Sequence, residues 1–199
     1  MPLFDPIEGA TPIEDASDLI PTHIITRAEL NEWEAANILK AARRYMARKK
    51  PPEISVEWLK KVHKAMFDQT WCWAGKLREK EINLGVAPQL IRDELKKLAD
   101  DIHFWRQDNK IGLLEQSVRI HHRLVKIHPF ENGNGRHARL VADIFLFSHG
   151  HKLPQWPDKG LIDRTDVRGK YILALQAADK GNYGLLERFT RDMIVGDKS

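Results

Sequence analysis

One segment between two helical patterns carries the side chains with the clearest chemistry. It reads His128-Pro129-Phe130-Glu131-Asn132-Gly133-Asn134-Gly135-Arg136-His137-Ala138-Arg139. Proline disfavours a continuing helix, and the two glycines permit backbone conformations in which successive N–H groups converge on an anion. The helix that follows adds the positive end of its dipole. The segment therefore predicts a phosphate-binding loop.

A histidine and two arginines flank this loop. Arg136 and Arg139 lie three residues apart on the first turns of the following helix, where guanidinium forks can hold the oxygens of a polyphosphate. His128 lies at the other lip, and an imidazole there can remove a proton from an attacking hydroxyl near neutral pH. Each residue alone has a purely structural explanation. Together they indicate phosphoryl or nucleotidyl transfer.

The same segment resembles the signature of Fic-domain proteins, which is His-Pro-Phe, two variable or acidic positions, Gly-Asn-Gly-Arg, two spacers and Arg. Upstream, the run from Trp73 to Arg78 resembles the family's approach to its flap. The arm, with Gly9-Ala10-Thr11-Pro12 and Ile20-Pro21-Thr22-His23, is similar to the bacterial subgroup called mobile mystery protein B.

The resemblance implies a protein adenylyltransferase that uses ATP and Mg²⁺. His128 would activate a Ser, Thr or Tyr hydroxyl of a target protein for attack on the α-phosphate, and pyrophosphate would leave. Gly133, Asn134 and Gly135 would line the anion hole. Arg136 would contact the β- and γ-phosphates, and Arg139 would hold the γ-phosphate and orient the α-phosphate. The alternative is a Fic module that binds nucleotide or a partner, with weak transfer or with another nucleotide or phosphoryl group.

A flap is the second feature that the resemblance implies. The segment 78–88 has no helical period and is expected to hold a short, exposed β-hairpin. Its residues would clamp a target segment by adding that segment's backbone as an extra strand; they are Glu81, Ile82, Asn83, Leu84 and Gly85. Phe130 is expected to anchor the loop in the core, and Trp71 and Trp73 to pack beneath the flap.

The chain departs from the family pattern at Asn132, where active members commonly have Asp or Glu. A neutral amide oxygen can ligate Mg²⁺, but less tightly than a carboxylate. Asn132 is therefore interpreted as a weak ligand of an ion that is held mainly by the ATP phosphates.

The inhibitory helix of many members, in which a Glu pairs with the second arginine of the signature, is not found in good form. Glu34 is the nearest candidate and is interpreted as a solvated helical acid; Glu187 also lacks the pattern. A separate antitoxin-like inhibitor is the expectation that follows, for a toxin or regulator.

Three further histidines could suggest a transition-metal site. His121 and His122 are adjacent, so they cannot share one helical face, and no cysteine or metal-binding spacing accompanies them or His137. Packing in the core, or support of the site from behind, is the favoured interpretation.

The elements that must position these residues read as helices. Thr26 and Glu29 have the spacing of a capping box, and the helix that they open is expected to end near Lys50. Further helices are predicted over 56–67, 89–108, 113–127, 136–149, 166–178 and 183–194. The prediction is an all-α, Fic-type helical bundle over 26–199, preceded by an extended arm over 1–25 that contains four prolines.

Composition and charge argue against a secreted, a membrane-spanning and a nucleic-acid-binding protein. The chain has 32 Lys and Arg against 28 Asp and Glu, a net charge of +4, and one cysteine, Cys72. No signal peptide or membrane span is visible, so a cytoplasmic protein is expected. The basic run from Arg43 to Lys50 is interpreted as a solvated helix end, and no nucleic-acid partner is expected.

Overall fold

The structure of the protein, a computed structural model, describes residues 17–108, 110–157 and 166–194. These residues form seven α-helices and one 3₁₀ turn, Pro88–Leu90. Within the described ranges there is no sheet, and Leu19 and Trp71 form an isolated β-bridge. The α-helices are α1 Arg27–Tyr45, α2 Val56–Phe67, α3 Ile91–Asp108, α4 Leu113–Ile127, α5 Asn134–Ser148, α6 Asp166–Asp179 and α7 Gly184–Asp192.

The helix starts follow from their capping residues. Thr26 accepts a hydrogen bond from the backbone N–H of Glu29, and the Glu29 carboxylate accepts from the backbone N–H of Thr26 at 2.9 Å. The predicted capping box is therefore confirmed. Ser55 caps α2 in the same way through the backbone N–H of Trp58. Such caps satisfy N–H groups that the first turn of a helix leaves without partners.

The central pair is α4 and α5, and it carries the predicted loop between its two helices. α4 also packs against α3, α6 and α7, while α2 packs against α1, α3 and α5. Buried apolar side chains from α1 to α5 form the main core, and a second cluster joins α6 and α7 to Val118 of α4. The loop at 128–133 thus connects α4 and α5, two helices that pack against the core on several sides.

The all-α prediction is confirmed, and the ends of the helices differ from the prediction by at most five residues. α1 ends at Tyr45, about one turn before the predicted Lys50, where the Tyr45 ring packs edge-on against Trp58 of α2 at 5.8 Å between ring centroids. Residues 47–50 are exposed and offer no apolar face that would extend the helix. α5 begins at Asn134, two residues before the prediction, because Gly133 serves as its N-cap.

The predicted arm lies mostly outside the described residues, which begin at Ser17. The described part of the arm is non-helical and is tied to the chain after α2: the backbone N–H of Ile20 donates to Thr70 O, and that of Cys72 to Asp18 O, both at 2.9 Å. In the ranges that the structure describes, no helix combines the length and the apolar composition that a bilayer span requires.

Candidate active site

His128 lies at the C-terminal end of α4 in an uncommon backbone conformation. It is the C-cap residue, with φ 52° and ψ 60°, and among the described residues it is the non-glycine residue with positive φ. This left-handed conformation costs roughly 1–2 kcal/mol for a residue with a Cβ. Burial, and then the positive charge of Arg78, lower the pKa of His128 to about 4. The imidazole is therefore neutral at pH 7.

The loop after His128 turns sharply at a glycine that the packing requires. Gly133 has φ 75° and caps α5, and a Cβ there would lie 2.5 Å from the Phe67 ring. Gly135 is different, since a Cβ there would make only an ordinary contact, 3.7 Å from the guanidinium of Arg139. The first glycine therefore serves the fold, whereas the second leaves open space at the start of the helix.

Asn134 closes the loop on itself. Its amide oxygen accepts from the backbone N–H of Phe130 at 2.9 Å, and its amide nitrogen donates to Phe130 O at 2.8 Å. The side chain that was predicted to line an anion hole thus holds the two ends of the loop together. Its backbone N–H remains part of the helix start, where an anion would bind.

An aromatic layer supports the loop from beneath. Phe130 is fully buried, which confirms the predicted anchor, and it stacks on His63 at 3.6 Å between ring centroids. The backbone N–H of Gly75 donates to His63 Nδ1, so Nε2 carries the proton that is donated to Asn132 O at 3.1 Å. Burial lowers the pKa of His63 well below its usual range, which keeps this neutral tautomer in place.

The two arginines meet different partners. Arg136 donates to the Glu34 carboxylate at 2.5 Å and lies over the Phe67 ring at 4.9 Å. Glu34 is 4% exposed, and its other oxygen accepts from Trp71 Nε1 at 2.8 Å. The interpretation of Glu34 as a solvated acid was therefore wrong, because α1 turns this position toward the loop.

Arg139 contacts side chains of the opposite wall. Its charge acts on the nearby hydroxyl of Tyr171, which bonds His121 Nε2 at 2.8 Å, and its guanidinium lies 5.9 Å from the centre of the Trp156 ring. Trp156 Nε1 donates to both oxygens of Asp143, at 3.0 and 3.1 Å. Burial raises the pKa of Asp143 to about 7, although the Trp156 bond and Arg139 oppose the shift.

All residues predicted for the base, the metal and the nucleotide line one cavity of about 640 Å³. A cavity of this size is typical of sites for small molecules. α1 and α6 supply the two side walls of the cavity. The predicted residues on its lining are His128, Asn132, Gly133, Asn134, Gly135, Arg136 and Arg139.

The predicted hairpin is absent from the described structure. Residues 79–87 form an irregular loop without strands, and of the five predicted flap residues, Leu84 and Gly85 reach the cavity lining. The physical reason lies in Arg78, whose guanidinium donates to Lys80 O and Val86 O and so occupies carbonyls within the loop. Glu81, Asn83, Leu84 and Gly85 are exposed, whereas Ile82 is half-buried.

Asn132 is poorly suited to hold a metal ion by itself. Its side-chain oxygen accepts the backbone N–H of Gly133 at 2.6 Å. Within the described ranges, no group of three or more His, Cys, Asp or Glu side chains could hold an ion. A metal at this loop would need most of its ligands from a bound phosphate.

The remaining predicted histidines and tryptophans pack as expected. His121 Nε2 bonds the hydroxyl of Tyr171, and His137 Nε2 pairs with Leu59 O at 3.0 Å. Burial lowers the pKa of His121 to about 3 and that of His137 to about 4. His122 pairs with Asp179 at 3.0 Å. Trp71 stacks on Trp73 with their ring centroids 5.2 Å apart.

Sequence reasoning missed four supporting residues: His63, Arg78, Tyr171 and Glu34 in its actual role. His63 lies beside Leu59, Val62 and Met66 on the buried face of α2, and a polar residue within such a face is a signal that could have been read. The bonds from Arg78 to His128 O and from Tyr171 to His121 each join positions 50 residues apart and gave no local signal.

Comparison with known proteins identifies the loop and the helices around it. Residues 53–146 match the model of the Fic/DOC family. This stretch, just under half of the chain, is similar to the Fic/DOC family. The matched range contains α2 to most of α5 and therefore the whole Fic loop from His128 to Arg139. The resemblance to the mobile mystery protein B subgroup stays a prediction, and residues 9–12 lie outside the described ranges.

Two curated relatives carry names that describe nucleotide transfer. Protein adenylyltransferase fic-1 of Caenorhabditis elegans is 27% identical over 142 residues, which cover 67% of this chain and 26% of the relative. A uridine 5'-monophosphate transferase of Xanthomonas campestris pv. campestris is 36% identical over 81 residues, covering 39% of this chain and 15% of the relative. The chain thus spans about a quarter or less of the length of these relatives.

A solved structure confirms the fold. The crystal structure of the BepC protein of Bartonella tribocorum, with bound AMPPNP, superposes with a TM-score of 0.67 at 20% sequence identity and covers 94% of this chain and 93% of its own. This protein therefore has the Fic fold.

Proposed function

We propose that this Fic protein is a protein adenylyltransferase that transfers AMP from ATP to a hydroxyl side chain of a target protein. One observation carries the proposal: the neutral imidazole of His128 and the start of α5, with Arg136 and Arg139, line the same cavity. A base, an anion-binding helix start and two guanidinium groups are the components that in-line transfer from a triphosphate requires.

The reaction follows from these positions. His128 accepts the proton of the target hydroxyl while the hydroxyl oxygen forms a bond to the α-phosphorus. The bond between the α-phosphorus and the oxygen bridging to the β-phosphate breaks, and pyrophosphate leaves with the electron pair. Because the pKa of His128 lies at about 4, the base form is available at pH 7, and transfer should fail only in strongly acidic solution.

The charges in the cavity complement a triphosphate. The N–H groups at the start of α5 and the guanidinium of Arg139 would bind the phosphates, and Arg136 would join them after leaving Glu34. α1 contributes Arg27 and α6 contributes Arg168 to the same lining. For this reason we propose that the functional domain runs from α1 to α7, over 26–199, beyond the range of the family match.

Mg²⁺ would enter this site with the nucleotide. Asn132 would be its protein ligand, and it would have to release the N–H of Gly133 to bind the ion. The ion would neutralise phosphate charge, which the two arginines also do. Replacing Asn132 by Asp should strengthen the dependence of activity on Mg²⁺.

The loop 79–87 would receive the target. It exposes backbone and the apolar side chain of Leu84 at the rim of the cavity, next to His128. We propose that an exposed Ser, Thr or Tyr of the target reaches His128 across this rim, with the irregular loop binding the target backbone in place of a preformed strand.

Glu34 would restrain the enzyme. While it holds Arg136, that arginine cannot give its full charge to the phosphates. The chain therefore contains a restraint of its own, and an antitoxin-like inhibitor would act in addition, in a cytoplasmic toxin or regulator.

A second candidate function is a Fic module with weak or altered transfer. It is favoured by Asn132, which lacks the carboxylate charge, and by the similarity to a relative named as a uridine 5'-monophosphate transferase. In this case another nucleotide, or a phosphoryl group, would be transferred, or nucleotide would be bound without efficient transfer.

The deciding experiment uses ATP labelled at the α- or the γ-phosphate, with Mg²⁺ and a bacterial lysate. The natural sequence is compared with His128→Ala and Asn132→Asp, and with His103→Ala, an exposed histidine of α3, as the matched control. We expect α-label on a target protein that His128→Ala abolishes, that His103→Ala leaves unchanged and that Asn132→Asp increases.

Other outcomes separate the alternatives. Label from the γ-phosphate that depends on His128 would establish phosphoryl transfer. No label from either position, with ATP binding measured by calorimetry, would reject the adenylyltransferase and favour the binding module. Label that survives His128→Ala would reject His128 as the base.

A further inference from the structure

Arg78 connects the loop 79–87 to the backbone of His128. The side chain is 2% exposed although the loop that follows it is largely exposed. Its Nε donates to His128 O at 2.7 Å, and its two terminal nitrogens donate to Lys80 O, at 2.9 Å, and to Val86 O. One guanidinium therefore holds both ends of the loop and the residue proposed as the base.

The backbone around Arg78 reinforces this connection. The N–H of Arg78 donates to Pro129 O at 2.9 Å, so the main chain and the side chain bind consecutive carbonyls, those of residues 129 and 128. On the other side of the loop, Val86 N–H donates to Ile127 O. The three carbonyls at the end of α4 that face the loop are thus bound by donors from it or from its first anchor.

At Gly85 the backbone of the loop is in direct contact with His128. A Cβ at Gly85 would lie 2.5 Å from His128 Cβ and 2.7 Å from Ile127 O. The loop backbone therefore rests directly on the histidine. An outward movement of the loop would uncover the imidazole and pull Lys80 O and Val86 O away from the guanidinium.

The chemistry of the fork explains why an arginine stands at this position. Three carbonyls approach three different nitrogens of the planar guanidinium, whereas the three donors of an ammonium group all lie on one nitrogen and cannot span the same distances. His128 O needs such a partner because its residue is held in the left-handed conformation at a helix end, where carbonyls lack partners within the helix.

We propose that Arg78 is a positioning residue that couples the closure of the loop 79–87 to the position and burial of the His128 imidazole. The inference rests on the proposed function for its consequence, which is that a target segment bound to the loop sets the base. Arg78 touches neither nucleotide nor hydroxyl in this role, since its three donors are directed at backbone carbonyls.

The test compares Arg78→Lys with Arg106→Lys. Lysine keeps the positive charge, so a change at His128 reports the position of the loop and not the loss of a charge. Arg106 is a matched control because it is a partly buried arginine that donates to a backbone carbonyl, Pro52 O, far from the cavity. Two readouts need no transfer activity: hydrogen–deuterium exchange over 79–87, and an NMR titration of the His128 ring, assigned with His128→Ala.

In Arg78→Lys we expect exchange of the Val86 amide, which donates to Ile127 O, to accelerate about tenfold or more, because two carbonyl anchors of the loop are lost. The pKa of His128 should rise from about 4 toward its ordinary 6.5 as water reaches the ring. Arg106→Lys should change neither. A folded Arg78→Lys protein with unchanged exchange and an unchanged His128 titration would overturn the proposal.

Gly85→Ala tests the coupling from the other side and serves if Arg78→Lys does not fold. The added methyl must push the loop away from His128, so the same rise in the pKa of His128 is expected. No rise in a folded Gly85→Ala protein would also overturn the coupling. In transfer assays, Arg78→Lys should lower kcat and move the acidic limb of the pH profile upward. If no variant transfers AMP, the proposed function fails while the NMR result still decides the coupling.

Discussion

The two side walls of the cavity treat two similar arginines in different ways. On the α1 wall, Arg136 is bonded to a nearly buried carboxylate, Glu34. On the α6 wall, Arg139 faces a neutral hydroxyl, that of Tyr171, and beyond this wall it lies 5.9 Å from the centre of the Trp156 ring. The first wall therefore competes with a phosphate for its arginine, and the second wall leaves the charge of its arginine available.

This difference shows that the spacing of the two arginines in the sequence does not tell how strongly each of them can bind a phosphate. Both arginines lie on the first turns of α5, and the sequence treats them as equal. What separates them is one acid supplied by α1. Four predictions follow from this asymmetry, in order of decreasing expected effect on ATP binding.

The largest effect is expected for Arg139→Gln, which removes a charge that the free protein leaves available. ATP affinity should fall about a hundredfold, against about tenfold for Arg136→Gln, whose charge Glu34 already offsets. Glutamine can still donate to Tyr171 or Glu34, so the fold should survive, and thermal unfolding verifies this. Calorimetric titration with ATP gives the two affinities. Equal losses would contradict the asymmetry.

Glu34→Gln should change ATP affinity in the opposite direction. Its amide oxygen can still accept from Trp71 Nε1, while the negative charge beside Arg136 is lost. We expect ATP to bind about fivefold more tightly and AMP transfer to accelerate, because Arg136 no longer has to leave a partner. Glu32→Gln, at an exposed position of the same helix, is the control and should change nothing. Unchanged ATP affinity in Glu34→Gln would show that the ion pair does not restrain the site.

A smaller effect is expected for Tyr171→Phe, which removes the neutral hydroxyl beside Arg139 but keeps the ring that forms the wall. ATP affinity should fall about threefold. The free energy of unfolding should also fall by about 1–2 kcal/mol, because buried His121 Nε2 loses its partner. Tyr183→Phe is the control, since its ring contacts His122 edge-on and Arg119, and Tyr183 is not part of the cavity lining. Equal behaviour of the two variants in calorimetry and urea unfolding would argue against this role of the Tyr171 hydroxyl.

The smallest effect on ATP is expected for Asp143→Asn, whose main signature is the pH dependence of stability. The folded protein raises the pKa of Asp143 from 3.8 to about 7, so it binds this proton more tightly than the unfolded chain does. Stability from this group is present below pH 4 and is lost as the pH rises toward 7.

Asparagine removes this loss and can still accept from Trp156. Relative to the natural chain, Asp143→Asn should gain about 1 kcal/mol or more of unfolding free energy between pH 5 and pH 8, measured by urea unfolding. ATP affinity should change by less than about twofold. A difference between the two proteins that stays constant with pH would show that Asp143 does not titrate in this range.

The sequence predicts the parts of this molecule that depend on local rules. The capping box at Thr26, the proline and glycines around the Fic loop and the helical periods each act within a few residues, and the structure places them as expected. The anchor Phe130 followed from its position inside the signature. The burial of Glu34 depends on how α1 packs across the loop, and no local pattern records that packing.

The irregular loop 79–87 has the same kind of origin. Two-sided polarity and a glycine are compatible with a hairpin, and the sequence offers no reason to exclude one. The guanidinium of Arg78, bonded to carbonyls two and eight residues further along the chain, decides against it. A side chain that bonds the backbone carbonyls of a loop in place of a second strand can be recognised only in the folded structure.

At His128 the stability of the fold and the proposed chemical role favour different residue types. Glycine is the residue that most readily adopts a left-handed conformation at the end of a helix. His128→Gly should therefore relax the end of α4 while removing the proposed base. After glycine, asparagine adopts this left-handed conformation most readily. Histidine stands here against the preference of its own backbone, and the role proposed for its imidazole would be the compensation for that strain.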